Sequence, residues 1–105
     1  MEFEKYNSVI SGETFTAILI KDAELGLTNL SDLKTVIDGE MNSGNIRIII
    51  DLQHVAVINS SGLGVLIGAL ARLKAKSGAM KIINANDKLM NIFRITKLDH
   101  VFELI

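Results

Sequence analysis

Hydrophobic positions along this chain follow two alternating periods. From about Glu2 to Ile10 the residues favour strands, Ser11-Gly12-Glu13 is a turn signal, and Thr14 to Ile20 is a second strand-forming run. Two such runs so close together predict an opening antiparallel hairpin. Leu30, Leu33, Val36, Ile37 and Met41 then recur at helical spacing. Asn29 is predicted to cap that helix, with Asp32 at the positive end of its dipole, and Asn42-Ser43-Gly44-Asn45 ends it. Ile46 to Ile50 reads as a buried strand closed by Asp51, and Val55, Val57 and Ile58 as a short apolar connection packing back on the core.

Ser60-Ser61 starts a second predicted helix with an apolar stripe of Leu63, Leu66, Ile67, Leu70 and Leu73. Arg72, Lys74 and Lys76 complement its C-terminal end, and Gly78 is its predicted stop. Met80 to Ile83 is a further strand. Asn86 is predicted to cap a third helix carrying Leu89, Met90, Phe93 and Ile95, and Val101 to Ile105 forms a last strand. The order β-β-α-β-α-β-α-β argues for an α/β fold. Its sheet is mixed and mainly parallel, with four or five strands and helices packed on it.

Composition narrows the function classes. The chain has 105 residues, 49% hydrophobic and 22% charged, which suits a single globular domain spanning 1–105. With 11 basic and 12 acidic residues and a net charge of −1, it carries no electrostatic footprint for nucleic acid. There is no cysteine, so disulfides, thiolate metal sites and thiol catalysis are excluded. Acidic residues near the N-terminus and short apolar runs point to a soluble cytoplasmic domain with no membrane partner. The Asn-x-Ser triplets at Asn29 and Asn59 are then chance matches rather than glycan acceptors.

The most informative stretch runs from Asp51-Leu52 through Asn59-Ser-Ser-Gly-Leu-Gly64 into an apolar helix. It resembles the signature of STAS domains in bacterial anti-sigma factor antagonists: a strand ending in Asp-Leu, a short apolar connection, Asp-Ser-Ser/Thr-Gly-Leu-Gly and an apolar helix. The resemblance continues through Gly78, the Met80 to Ile83 strand, Phe93 and Leu98, and covers the first half of the chain in outline. It implies the STAS fold and a partner-switching role. By that resemblance, the unphosphorylated protein is expected to bind an anti-sigma factor that is also a serine kinase, and so to free a sigma factor. Phosphorylation of Ser60 is then expected to separate the pair, and a metal-dependent serine phosphatase to reset it. Asn59, Ser60, Ser61, Gly62, Leu63, Gly64 and Glu24 are the partner-binding residues so implied. Gly62 and Gly64 are expected to leave room for a kinase loop. Two positions depart from the family pattern. Asn59 stands where the family has Asp, and Gly26, in Ala23-Glu24-Leu25-Gly26, stands where the family's first loop has Asp.

Other readings of the same residues stay open. Ser60 and Ser61 are also good helix caps. Gly62 and Gly64 lack the following Gly-Lys-Ser/Thr of a nucleotide-binding loop. His54 and His100 have no partner at ligand spacing, so neither a metal nor another cofactor is expected. Asp51 closes a strand as a receiver-domain phosphoacceptor does, but the opening hairpin is wrong for that fold, and its expected role is to bond the following turn. Lys74, Lys76 and Lys81 read as solvated charges. Leu25, Leu27 and the Ser60 loop are either a docking patch, in a monomer or weak dimer, or core. A STAS domain can instead be an accessory subunit of a lipid-transport ATPase or part of a stress-signalling scaffold. No nucleophile–base pair, carboxylate pair or metal set is legible, so the chain is not expected to be an enzyme.

Overall fold

Ser11 and Gly12 both have positive φ, 52° and 82°. That combination makes a two-residue turn whose twist matches that of its flanking strands. It joins β1 (Phe3–Ile10) to β2 (Glu13–Ile20) in antiparallel register from Ile10↔Glu13 to Phe3↔Ile20. The computed structural model describes residues 3–26 and 29–105, so Glu2 and Leu27 lie outside the described residues. After β2 come β3 (Glu24–Leu25), α1 (Leu30–Asn42), β4 (Arg47–Asp51), β5 (Val57–Ile58), α2 (Ser60–Ala75), β6 (Ala79–Ile83), α3 (Asp87–Ile95), a single 3-10 turn (Leu98–His100) and β7 (Glu103–Leu104).

The main sheet has five strands in the order β1-β2-β4-β6-β7. Only its β1–β2 pair is antiparallel; β2–β4, β4–β6 and β6–β7 are parallel. Ile18, Ile20, Ile48, Ile50, Met80 and Ile82 share one core with Leu33, Ile37 and Met41 of α1, Leu66, Leu70 and Leu73 of α2, and Leu89 and Phe93 of α3. The alternate residues Phe15, Ala17 and Ile49 form a second, smaller cluster. Burial on both faces explains why Ile48-Ile49-Ile50 is continuously apolar rather than alternating. On that second cluster Lys81 is held by an ion pair with Glu103 and lies 5.6 Å from the centre of the Phe15 ring. It is thus a half-buried cation over an aromatic face, not the solvated charge expected of it.

Elsewhere packing overrides the local pattern. Ile67 and Ile95, expected in apolar stripes, are 40% and 72% exposed. The buried residues of α3 are Leu89 and Phe93, and Ile95 lies about 200° round the helix from Phe93. The last strand is shorter than predicted, because Phe102 turns inward to meet Phe93 edge-on at 5.8 Å. The stop of α2 lies one residue before the predicted glycine. Ser77 takes the left-handed conformation (φ 61°), its N–H donates to Lys74 O at 3.0 Å, and the Gly78 N–H donates to Leu73 O at 2.7 Å. This is a Schellman ending with serine at its left-handed position.

One ion pair ties β1 to α1. Lys5 Nζ lies 2.8 Å from Glu40 Oε1, and Asn45 Nδ2 donates to Glu40 Oε2 at 2.6 Å. The hydrogen bonds from Lys5 and then Asn45 hold the Glu40 carboxyl below its ordinary pKa, outweighing its burial. A depressed carboxylate contributes stability above the unfolded pKa, about 4.3, and loses it as pH falls through the folded pKa. Glu40→Gln should therefore lower the midpoint of thermal unfolding at pH 7. The gap to the wild type should close below about pH 4. Lys5 is largely exposed, so the neutral-pH effect should stay near 1 kcal/mol.

Candidate functional site

The site is assembled where β4 ends. Asp51, 3% exposed, accepts hydrogen bonds from Tyr6 Oη at 2.7 Å, Asn84 Nδ2 at 3.0 Å and the Gln53 N–H at 3.0 Å. It closes the strand and bonds the following turn, as its position suggested, and it also joins β1 to the end of β6. Burial, and then the bond to Asp51, push the Tyr6 phenol up to about 12.

From this anchor the chain runs back into β5, which pairs in parallel with β3 as Glu24↔Val57 and Leu25↔Ile58. Glu24–Leu25 and Val57–Ile58 are thus paired strands, not the loop and the connection that the local pattern suggests. Two-residue strands are too short to show a period, and their pairing is a tertiary event. The Ala56 N–H donates to Ala23 O at 2.7 Å and the Asn59 N–H to Leu25 O at 3.2 Å, extending the contact up to the helix. The pairing brings Glu24, far away in sequence, beside the start of α2.

Asn29 underpins this arm in a way the sequence did not suggest. It sits at the cap position of α1 but makes no side-chain cap. Its Oδ1 accepts from the Gly26 N–H at 3.0 Å, while Nδ2 donates to Glu24 O at 2.7 Å and Asp22 Oδ2 at 3.1 Å. Asn29 is buried, and the backbone groups that cross above it need partners there more than the helix end does.

At α2 the cap is Asn59, in extended backbone (φ −94°, ψ 177°). Its Oδ1 accepts from the Gly62 N–H at 2.8 Å, and its backbone carbonyl accepts from the Leu63 N–H at 3.0 Å. Ser60 and Ser61 are therefore not the caps. Ser60 is the first helical residue, exposed at the positive end of the dipole, and among the described hydrogen bonds its hydroxyl makes none. Glu24, Asn59, Ser60, Ser61 and Gly64 all lie exposed. Leu63 is instead part of the core, and Gly62 is buried against the chain's own backbone. Leu25 also belongs to the core, at 1% exposure.

The two glycines of the motif serve different ends. A Cβ on Gly62 would lie 2.7 Å from Leu25 O, whereas one on Gly64 meets nothing within 4 Å. The room at Gly62 is thus filled by β3, and only Gly64 leaves open space. Gly64→Ala should stabilise the protein by up to about 1 kcal/mol through helix propensity alone. Gly62→Ala should destabilise it despite the same propensity gain, by about 1–3 kcal/mol. Urea unfolding of the two variants checks the opposite signs.

His54 and His100 are exposed, and no group of three or more His, Cys, Asp or Glu able to hold a metal ion occurs among the described residues. No helix among the described residues is long and apolar enough to cross a membrane.

The family profile of the STAS domain matches residues 8–105. An anti-sigma factor antagonist assigned in Thermotoga maritima is 28% identical over 88 residues, which are 83% of this chain and 78% of that one. The anti-sigma-B factor antagonist of Listeria monocytogenes is 34% identical over 55 residues, covering 52% of this chain and 48% of its own. The Bacillus cell fate determinant SpoIIAA, solved in its phosphorylated form, superimposes with a TM-score of 0.67 at 18% identity, over 97% of this chain and 91% of that one. At that identity the superposition speaks for the fold. Matched over nearly its whole length by the family profile, and with the family's fold, the chain belongs to the STAS domain family.

Proposed function

We propose that this protein is an anti-sigma factor antagonist whose binding to an anti-sigma factor is switched off by phosphorylation of Ser60. The observation that carries the reading is the placement of Ser60: exposed, at the first position of α2, with its hydroxyl in no hydrogen bond among the described residues. The names of the relatives, and a fold neighbour solved in phosphorylated form, support it.

The partner is an anti-sigma factor that is itself a serine kinase. Ser60 Oγ takes the γ-phosphoryl group of ATP. The new bond is Oγ–P, the bond between the β–γ bridging oxygen and Pγ breaks, ADP leaves, and the hydroxyl proton passes to a base on the kinase. The product carries about −1.5 to −2 charges at a helix N-terminus, where the dipole favours an anion, so the domain itself stays folded. The switch then acts across the interface, through bulk and charge set against the kinase surface. Glu24, Asn59, Ser61 and Gly64 make up the rest of the face, with Gly62 and Leu63 holding its backbone. A metal-dependent serine phosphatase restores the hydroxyl. The protein acts in the cytoplasm as a single domain, a monomer or weak dimer.

Phosphopeptide mapping of the tagged protein purified from its own host, with its co-purifying proteins identified, tests this reading. Phosphate on Ser60 beside an ATP-binding serine kinase is the expected result. An unmodified Ser60 beside transporter subunits would overturn it in favour of an accessory subunit of a transport ATPase.

A further inference from the structure

We infer that Asn59 and Gly26 are a matched positioning pair that locks the Glu24–Gly26 arm onto the first turn of α2, so that residue 59 must donate a hydrogen bond as well as accept one. Oδ1 of Asn59 accepts from the Gly62 N–H at 2.8 Å, and its Nδ2 donates to Gly26 O at 3.0 Å. The partners dictate this orientation, with a backbone donor on one side of the amide and a backbone acceptor on the other. With Asn29 Oδ1 on the Gly26 N–H, both backbone polar groups of Gly26 are held by side-chain amides.

Gly26 is the other half of the fit. Its φ is +129°, and a Cβ built on it would fall 1.8 Å from Oδ1 and 2.3 Å from Cγ of Asn59. A side chain at position 26 and the Asn59 amide in this place exclude one another. The two departures of this chain from the STAS pattern, Asn for Asp at 59 and Gly for Asp at 26, are therefore one coupled change. A carboxylate at 59 would still cap Gly62, but it has no proton for the Gly26 carbonyl and would set two acceptors against each other. The pair fixes where Glu24 stands relative to Ser60 without placing a charge at either 26 or 59. That this arm helps select the partner rests on the function proposed above; the lock itself does not.

Asn59→Asp separates this role from ordinary capping by the sign of its pH dependence. As a cap alone, aspartate matches asparagine and gains from the dipole. The variant would then be as stable as the wild type or more so at pH 7, and would lose that advantage on acidification. The lock demands the reverse. Facing the Gly26 carbonyl raises the folded pKa of the introduced carboxyl above its unfolded value of about 3.9. Its penalty is then full above the folded pKa and fades as pH falls towards the unfolded one, where the protonated group again offers one donor and one acceptor.

The test is thermal unfolding of the unmodified, partner-free protein from pH 7 to pH 3.5, with hydrogen exchange followed by NMR. The expected result is a lower midpoint for Asn59→Asp at pH 7, a deficit that narrows towards pH 4, and amide exchange at Gly26 and Asn59 about tenfold faster. An equal or higher midpoint at pH 7, a deficit that does not narrow, or unchanged exchange at Gly26 overturns the inference. Asn59→Ser, which keeps a capping oxygen on a side chain too short for Gly26, gives a second arm. Gly26→Ala should lower the midpoint less in the Asn59→Ser background than in the wild type, and equal losses would also count against the pair. Because neither kinase nor phosphate is present, failure here leaves the Ser60 switch untouched, and failure of the switch leaves the lock standing.

Discussion

Ser60→Glu is expected to weaken binding of the co-purifying serine kinase by about a hundredfold or more, while Ser60→Ala binds within a few-fold of wild type and cannot be phosphorylated. The first helical residue is where a new anion disturbs its own domain least. The dipole end favours it, so the thermal midpoint of Ser60→Glu should be unchanged or slightly raised. The cost falls on the complex. Like charge brought against an interface costs several kcal/mol, and each 1.4 kcal/mol is about tenfold in affinity. Phosphate, with more charge and bulk than a carboxylate, should exceed the effect of glutamate. Isothermal titration of kinase with the three proteins is the measurement. Equal affinity for all three would remove Ser60 from the switch.

Gly78→Ala should be the most damaging of the single-methyl additions at the α2–β6 junction, costing about 3 kcal/mol. The added Cβ would lie 2.2 Å from Ile46 O and 3.0 Å from both Ile46 Cβ and Leu73 O. Two of these obstacles are backbone carbonyls already in use. Ile46 O accepts from the Ala79 N–H at 2.9 Å, and Leu73 O accepts from Gly78 itself. Relief of the clash must therefore pull β6 away from β4 or open the end of α2, and no flexible side chain can absorb it. For a domain of this size such a loss lowers the thermal midpoint by about 12–24 °C. A shift of only a few degrees in calorimetry would show that the junction yields where the geometry says it cannot.

Most of the architecture was legible because strand and helix periods are local. The Ser11-Gly12 turn, the helical spacing from Leu30 to Met41 and from Leu63 to Leu73, the Asn86 cap and the isoleucine run of β4 each announce an element within a few residues. The motif around Ser60 was legible for the same reason, since its capping asparagine, serines and glycines are contiguous. The local pattern also marked the core-facing stripes of the helices, but it did not decide every apolar position on them. Ile67 and Ile95 are apolar and correctly spaced for a helix, yet lie outside because neighbouring residues already fill the buried arc.

Taken alone, the amino-acid sequence determined the alternation of strands and helices, the mixed sheet and the place of Ser60 at the head of an apolar helix. Those follow from periodicity and from capping chemistry over short spans. Only the tertiary structure decided what stands next to Ser60. The β3–β5 pairing, the turn of Asn29 from helix cap to loop support, the filling of Gly62 by Leu25 and the meeting of Asn59 with Gly26 join residues some 30 positions apart or satisfy backbone groups buried by that joining. Such contacts depend on where distant backbone polar groups come to rest when the sheet closes, and no local pattern encodes that.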